Sequence, residues 1–394
     1  MSSVMKKLES QSEKGMWDVW SLRLNLVVQI TLCSIITLIT CGHAHGANYN
    51  CSSGDVSCLM ESINTANANS ENDTIELEAG IFTLTSVDGY NDGANGLPSI
   101  TSNITIRGAD VTIIERNEEA DSDFRIFHVG VVGGLALEGL TISNGLSRDY
   151  GGGIYNSGTA ILTDCTVSGN RDSGGAGCGI YNSGTITFTN CTVWGNLLSW
   201  KYGDGGGLYN SGTATLTNCT VFDNAAGGWG GNGGGIYNSG NVTLTNCTVS
   251  GNVGGGWMYG DGGGIWNSGT LELKNSIVAN NTSGGDCFGE ITSLAYNLDS
   301  DGTCNLTQTN DFPNTDPLLG EFTDDGASGR GHFPLLKGSP AIDKGDDTAC
   351  PPTDQLGNPR VDGDGDSVIV CDIGAIEFQV LTEAKGDGGG GGGG

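Results

Sequence analysis

The sequence predicts an all-β fold, a right-handed parallel β-helix with capping segments at both ends. Three observations carry this. A block of twenty residues, "GGGIYNSGTAILTDCTVSGN" at 151–170, returns at Gly177, Gly205, Gly233 and Gly262, at spacings of 26, 28, 28 and 29 residues. Length varies only between copies, in "RDSGGA", "LLSWKYGD", "AAGGWGGN" and "VGGGWMYGD", as expected of a solenoid with one loop-bearing edge. Within a copy, apolar residues alternate with threonines at a period of two, not 3.6, so the segments are strands.

Each copy reads as three short strands and three bends. In the third, Ala214 and Leu216 alternate with threonines, and so do Cys219 and Val221, but the parity slips by one at Thr217-Asn218. One strand cannot slip without turning its buried side chains outward; two strands joined by a bend can. "GLYNSG" adds the third strand, with Leu208 ahead of an Asn-Ser-Gly turn.

Stacked as parallel strands, equivalent residues fall about 4.8 Å apart, and the columns can be named. Ile154, Ile180, Leu208, Ile236 and Ile265 form an apolar column, and Tyr155, Tyr181, Tyr209, Tyr237 and Trp266 an aromatic one. Asn156, Asn182, Asn210, Asn238 and Asn267 form an amide ladder at one bend, and Asn170, Asn196, Asn224, Asn252 and Asn281 another at a second bend. Such ladders satisfy turn groups that no strand pairs. Cys165, Cys191, Cys219 and Cys247, with Ser276 in the last copy, form a column of small core thiols, expected to be reduced and inert. Cys178 stands where other copies have glycine. Looser coils precede the copies in "NDTIELEAGIFTLT", "SNITIRGADVTIIERN" and "GGLALEGLTISNG", giving roughly eight coils.

Residues 1–46 read as an export signal, with four basic side chains ahead of the apolar run "LNLVVQITLCSIITLIT" and cleavage before Ala47. Residues 47–100 are then an N-terminal cap and first coil, 101–282 the repeats, 283–378 a C-terminal region and 379–394 a flexible glycine-rich tail. No stable membrane span is expected once the signal is removed. Cys51 with Cys58, Cys287 with Cys304, and Cys350 with Cys371 are locally spaced disulfide candidates, which an exported chain permits.

The 394-residue chain has 16 Lys+Arg against 45 Asp+Glu. Nucleic acid and anionic lipid are disfavoured as partners, because both need cationic side chains against phosphates. Solubility is favoured, and so is affinity for divalent cations.

The flanks resemble known modules. "CLMESINTANANSENDTIELEAGIFTLT" at 58–85 is similar to the N-terminal module named for a Cys-Ser-Leu-Arg-Glu-Ala signature, with Met60 in place of its Arg and Ser62 in place of its last Ala. "GSPAIDKG", Asp354-Gln355 and "CDIGAIEF" follow the order of the choice-of-anchor Q module. The resemblance implies a bacterial exported β-helix, often tethered to the cell surface. It implies no reaction and no catalytic residue.

Little in the chain suits catalysis. His128 and His332 lie in unlike contexts and read as structural or exposed. "GWGGNG" at 228–233 fits a dinucleotide-binding fingerprint only through glycine abundance, without the strand and helix such a loop needs. Lys201 with Asp204, Arg171 with Asp172, and Asp261 are loop candidates for acid–base work, but they form no recurrent cluster.

Two binding sites are expected. Trp200, Trp229 and Trp257, with Tyr202 and Tyr259, recur in the loops and would line one edge; exposed rings suit the apolar faces of sugars. Asp362, Asp364 and Asp366 alternate as calcium-loop ligands do, although Ser367 and Ile373 stand where that loop has glycine and glutamate. Calcium is the one cofactor suggested. The expected function is a secreted or cell-surface structural or adhesion protein, binding an extracellular glycan along the loop edge. The alternatives are a polysaccharide lyase or glycoside hydrolase on the same scaffold, and an inert cell-envelope spacer.

Overall fold

The computed structural model describes residues 46–379, except 70, 110, 199–202 and 256–259. The expected export signal and glycine-rich tail fall almost wholly outside these residues. Among the described residues, three parallel sheets of ten, nine and seven strands wind around one core in about eight turns, and a fourth of three two-residue strands forms where the loops begin. The first repeat contributes Ile154–Asn156, Thr159–Thr163 and Thr166–Ser168, one strand to each of the three larger sheets. Equivalent residues pair across coils, Ile154 with Ile180, Ala160 with Ile186 and Val167 with Val193. The columns named from the sequence are therefore the columns of the fold.

Each bend has its own solution. Asn156 Nδ2 donates to Asn182 Oδ1 at 2.7 Å, and the relay continues through Asn210 and Asn238 to Asn267. The second ladder runs from Asn170 through Asn196, Asn224 and Asn252 to Asn281, at 2.8–3.0 Å. The parity slip is a third bend. Asp164, Asn190, Asn218, Asn246 and Asn275 all adopt positive φ, between 49° and 55°. Asparagine tolerates this conformation better than most side chains, so the bend selects it.

Between the asparagine ladders the core is apolar, with Ile154, Ile180, Ile236 and Ile265 fully buried. The cysteine column is buried among them and unbonded, as is Cys178. Burial pushes the Cys165, Cys191 and Cys219 thiols well above the ordinary thiol value, which suppresses the reactive thiolate. The chain from Ala47 is therefore expected to expose five reactive thiols when denatured without reductant and close to none when native. Five fast-reacting thiols in the native state would contradict this packing. All three disulfide candidates are bonded.

The first end is closed by a helix, Val56–Asn67, that the strand pattern did not reveal. Asp55 caps it by accepting from the Cys58 amide at 3.0 Å. Leu59, Ile63 and Ala66 face the core, a helical spacing visible in the sequence. At the other end Cys304 and Leu306 join the core. The rest of the C-terminal region does not continue the stack. From Ser328 onward it lies along the flank, docked on a column of threonines that follow Leu140 and the four core cysteines. Ser328 Oγ meets Thr141 Oγ1 at 3.0 Å, the Gly329 amide donates to Thr166, Thr192 donates to the Gly331 carbonyl, Thr220 donates to Gln355, and the Ala375 amide donates to Thr248. The outer asparagines hold the same segment, Asn218 through the Thr353 carbonyl and Asn275 through Asp346.

Candidate functional site

The seven-stranded sheet carries the aromatic column on its outer face. Tyr155, Tyr181, Tyr209, Tyr237 and Trp266 stack with centroids 4.3–5.1 Å apart and planes within 17° of parallel. His128 and Phe288 extend the row at its two ends. His128 is thus a structural rung. Its Nε2 lies 3.1 Å from Asp92 and its Nδ1 2.9 Å from Ser99, and burial holds its pKa below the usual histidine value. His332 is elsewhere, bonded to the Arg330 carbonyl.

Stacking covers the ring faces, so the row presents ring edges and phenols to its surroundings. Burial, with Asp204 and Tyr209 adding to it, pushes the Tyr237 phenol up to about 12. It therefore remains a hydrogen-bond donor at ordinary pH.

The loops between copies wall this row. They stack as the coils do, with Leu197 bridging Ala225 and Ala225 bridging Val253. Their glycines follow from this close approach: a Cβ on Gly175 would lie 1.0 Å from the Asp149 carbonyl oxygen, and one on Gly231 2.2 Å from that of Gly203. Between row and loops lies a groove of about 390 Å³, lined by Tyr150, Tyr181, Tyr209, Asp204, Asn232 and loop glycines. Tyr150 overhangs Tyr181 at 4.7 Å and 39° and is 44% exposed, so it offers a ligand part of a ring face. Asp204 Oδ1 accepts from the Asn232 amide at 2.8 Å and from its Nδ2 at 3.1 Å, and burial raises its pKa.

The residues expected to bind sugar are placed only in part. Trp229 is half exposed and adjoins Gly230 of the groove wall. Trp200, Tyr202, Trp257 and Tyr259 lie outside the described residues, as does Lys201. The groove residues Tyr150, Tyr181 and Tyr209 were visible in the sequence only as column members and neighbours. Their convergence depends on how the loops fold over the sheet. Arg171 and Asp172 do not pair: Arg171 is exposed and Asp172 fully buried, where burial pushes its carboxyl up to about 6.

The acidic turn is also rearranged. Asp362 and Asp364 approach each other, joined by Asp343 rather than Asp366. The Asp366 Oδ1 instead accepts from the Val368 amide. A larger cavity of about 1150 Å³ lies inside the docked C-terminal segment, walled by Leu335, Leu336, Ile342 and Phe378, with Asp362 and Asp364 among its lining.

Residues 99–283 match a family described as the right handed beta helix region. This is a parallel β-helix protein. Neither the curated proteins nor the solved structures returned a match to the β-helix chain. Among the described residues, no helix of this β-helix protein is long and apolar enough to cross a membrane.

Proposed function

We propose that this β-helix is a secreted or cell-surface rod that adheres through carbohydrate bound in the groove over the tyrosine row. The observation that carries the reading is convergence: four successive loops, which otherwise line the groove with glycine and Ala176, bring Tyr150, Asp204 and Asn232 over Tyr181 and Tyr209. Phenols, an amide and a carboxylate beside a part-exposed ring suit sugar hydroxyls and a sugar face. The resemblance of the flanks to surface-displayed β-helix modules supports the location. The formal charge of −29 repels polyanions, so the ligand class is a neutral glycan.

Binding is favoured over catalysis. Among the described residues lining the groove, Asp204 is the one carboxylate, and Asn232 engages it; glycoside hydrolysis normally needs two. On a glycan array the protein is expected to retain neutral oligosaccharides and reject uronic-acid polymers. Tyr150→Ala with Asp204→Ala should weaken binding roughly tenfold or more, a loss of about 1.4 kcal/mol. Retention of no glycan, or full retention by the double variant, would remove the proposal.

A further inference from the structure

Two groups of three carboxylates occur among the described residues, Asp286 with Asp299 and Asp301, and Asp343 with Asp362 and Asp364. Each group holds one buried oxygen without a partner, Asp299 Oδ2 and Asp343 Oδ1, and the acceptor capacity of the remaining oxygens separates them. In the first, Asp286 Oδ1 accepts twice from Asn281 and Oδ2 twice from Ser300. A carboxylate has about four acceptor positions, so Asp286 is saturated as a hydrogen-bonded scaffold.

The second group is different. Asp343 is 7% exposed. Its Oδ2 accepts from the Gly363 and Asp364 amides at 2.9 and 2.5 Å, while its Oδ1 is buried with no partner. Above it, Asp362 accepts one amide on each oxygen, from Gly365 and Ser367. Asp364 accepts the Asp366 amide on Oδ1 and meets Lys344 Nζ at 3.3 Å on Oδ2. The three carboxylates each bring an oxygen within 4.8 Å of the others. One calcium ion can span that separation, because its oxygen ligands lie 2.3–2.6 Å away.

We propose that Asp343, Asp362 and Asp364 bind a calcium ion that fastens the turn at 362–367 to the docked C-terminal segment. The buried Asp343 Oδ1 supplies the innermost ligand, and the two outer carboxylates close over the ion, with Lys344 swinging away from Asp364. The lining of the adjoining cavity by Asp362 and Asp364 provides a path for entry. Because the Asp343 amide also donates to Asp372 at 2.7 Å, tightening the turn tightens the whole segment.

The test uses the full chain, freed of metal by a chelator and titrated with calcium chloride by calorimetry. One site is expected, with a Kd of about 0.1–1 mM, the range of extracellular calcium modules. Calcium at ten times that Kd should slow tryptic cleavage within 317–378 by roughly tenfold, by mass action. Asp362→Asn with Asp364→Asn, both outside the buried interior, should abolish binding and protection in a folded chain. Asp343→Asn should abolish binding too. Asp366→Asn and Asp301→Asn should leave both intact. No heat of binding, or binding that survives Asp362→Asn with Asp364→Asn, would overturn the assignment, as would a loss that follows Asp301→Asn.

Discussion

Asn224→Ala is expected to destabilise the rod by roughly 3–5 kcal/mol, as much as truncating a large core side chain. Asn224 is fully buried. Its Oδ1 accepts from the Asn196 amide at 3.2 Å and from Asn196 Nδ2 at 2.8 Å. Its Nδ2 donates to the Val193 carbonyl at 2.9 Å and to Asn252 Oδ1 at 3.0 Å. Alanine leaves two donors of Asn196 without their partner and takes one hydrogen bond from the Val193 carbonyl, in a fully buried site. Each orphan costs ~1–3 kcal/mol, partly offset because the removed amide no longer needs to be desolvated.

The effect should also be coupled along the ladder. Asn252→Ala removes the same Asn224–Asn252 bond, so the two losses should not add, and a double-mutant cycle should show coupling of roughly 0.5–3 kcal/mol. Urea unfolding of the four proteins checks both statements. A loss below about 1 kcal/mol for Asn224→Ala, or strict additivity, would mean that the ladder is ornament to a fold held by its apolar column.

Gln355→Ala is expected to release the C-terminal segment while leaving the coils wound. Gln355 is 3% exposed. Its Oε1 accepts from Thr220 at 2.7 Å, and its Nε2 lies 2.7, 2.9 and 3.0 Å from the Gly329 carbonyl, the Gly331 carbonyl and Thr192 Oγ1. One side chain thus ties two coils to two stretches of the segment. Its loss should lower the free energy of local opening by roughly 3 kcal/mol. Tryptic cleavage in the segment, at Arg330, Lys337, Lys344 or Arg360, should then accelerate about a hundredfold where opening is in rapid equilibrium. The urea midpoint of the coils should barely move. Cleavage unchanged within a factor of about three would show that the other contacts, among them Arg360 paired with the buried Glu377 at 2.9 Å, hold the segment without Gln355.

This second result bears on how the motifs of the C-terminal region are understood. Asp354, Gln355, Asp372 and Glu377 are all buried. Asp354 accepts from the Leu356, Asn358 and Glu377 amides, and burial beside Glu377 pushes the Asp372 carboxyl up to about 7. Such perturbed carboxylates can mark catalysis. Here they organise the segment that lies on the threonine column. The aromatic cluster of Phe322 with Trp194, Phe222 and Phe333 adds an apolar seam to the same interface.

How much was legible follows from the length scale of each feature. The coils repeat in the sequence and each stacks on its own likeness, so the apolar, aromatic, cysteine and two asparagine columns could be written down with correct registers. The third asparagine column was seen only as a parity slip, because one residue of left-handed backbone leaves no periodic trace. The capping helix was missed because a single helix among strands shows only Leu59, Ile63 and Ala66. The acidic turn was read as Asp362, Asp364 and Asp366, on local alternation. In the folded chain the third member of that group is Asp343, 19 positions before Asp362 and outside the alternating run.

The sequence alone determined the winding of this protein. Parallel stacking places like on like about 4.8 Å apart, so a repeated letter specifies both its own position and its neighbours'. Tertiary structure alone decided what lies outside the coils: which threonines receive the C-terminal segment, which loops close over the tyrosine row, and which carboxylates meet. The contacts of the docked segment join residues more than a hundred positions apart, as Thr192 joins Gly331. No periodicity encodes them, because they depend on the shape of a surface that exists only after the coils have stacked.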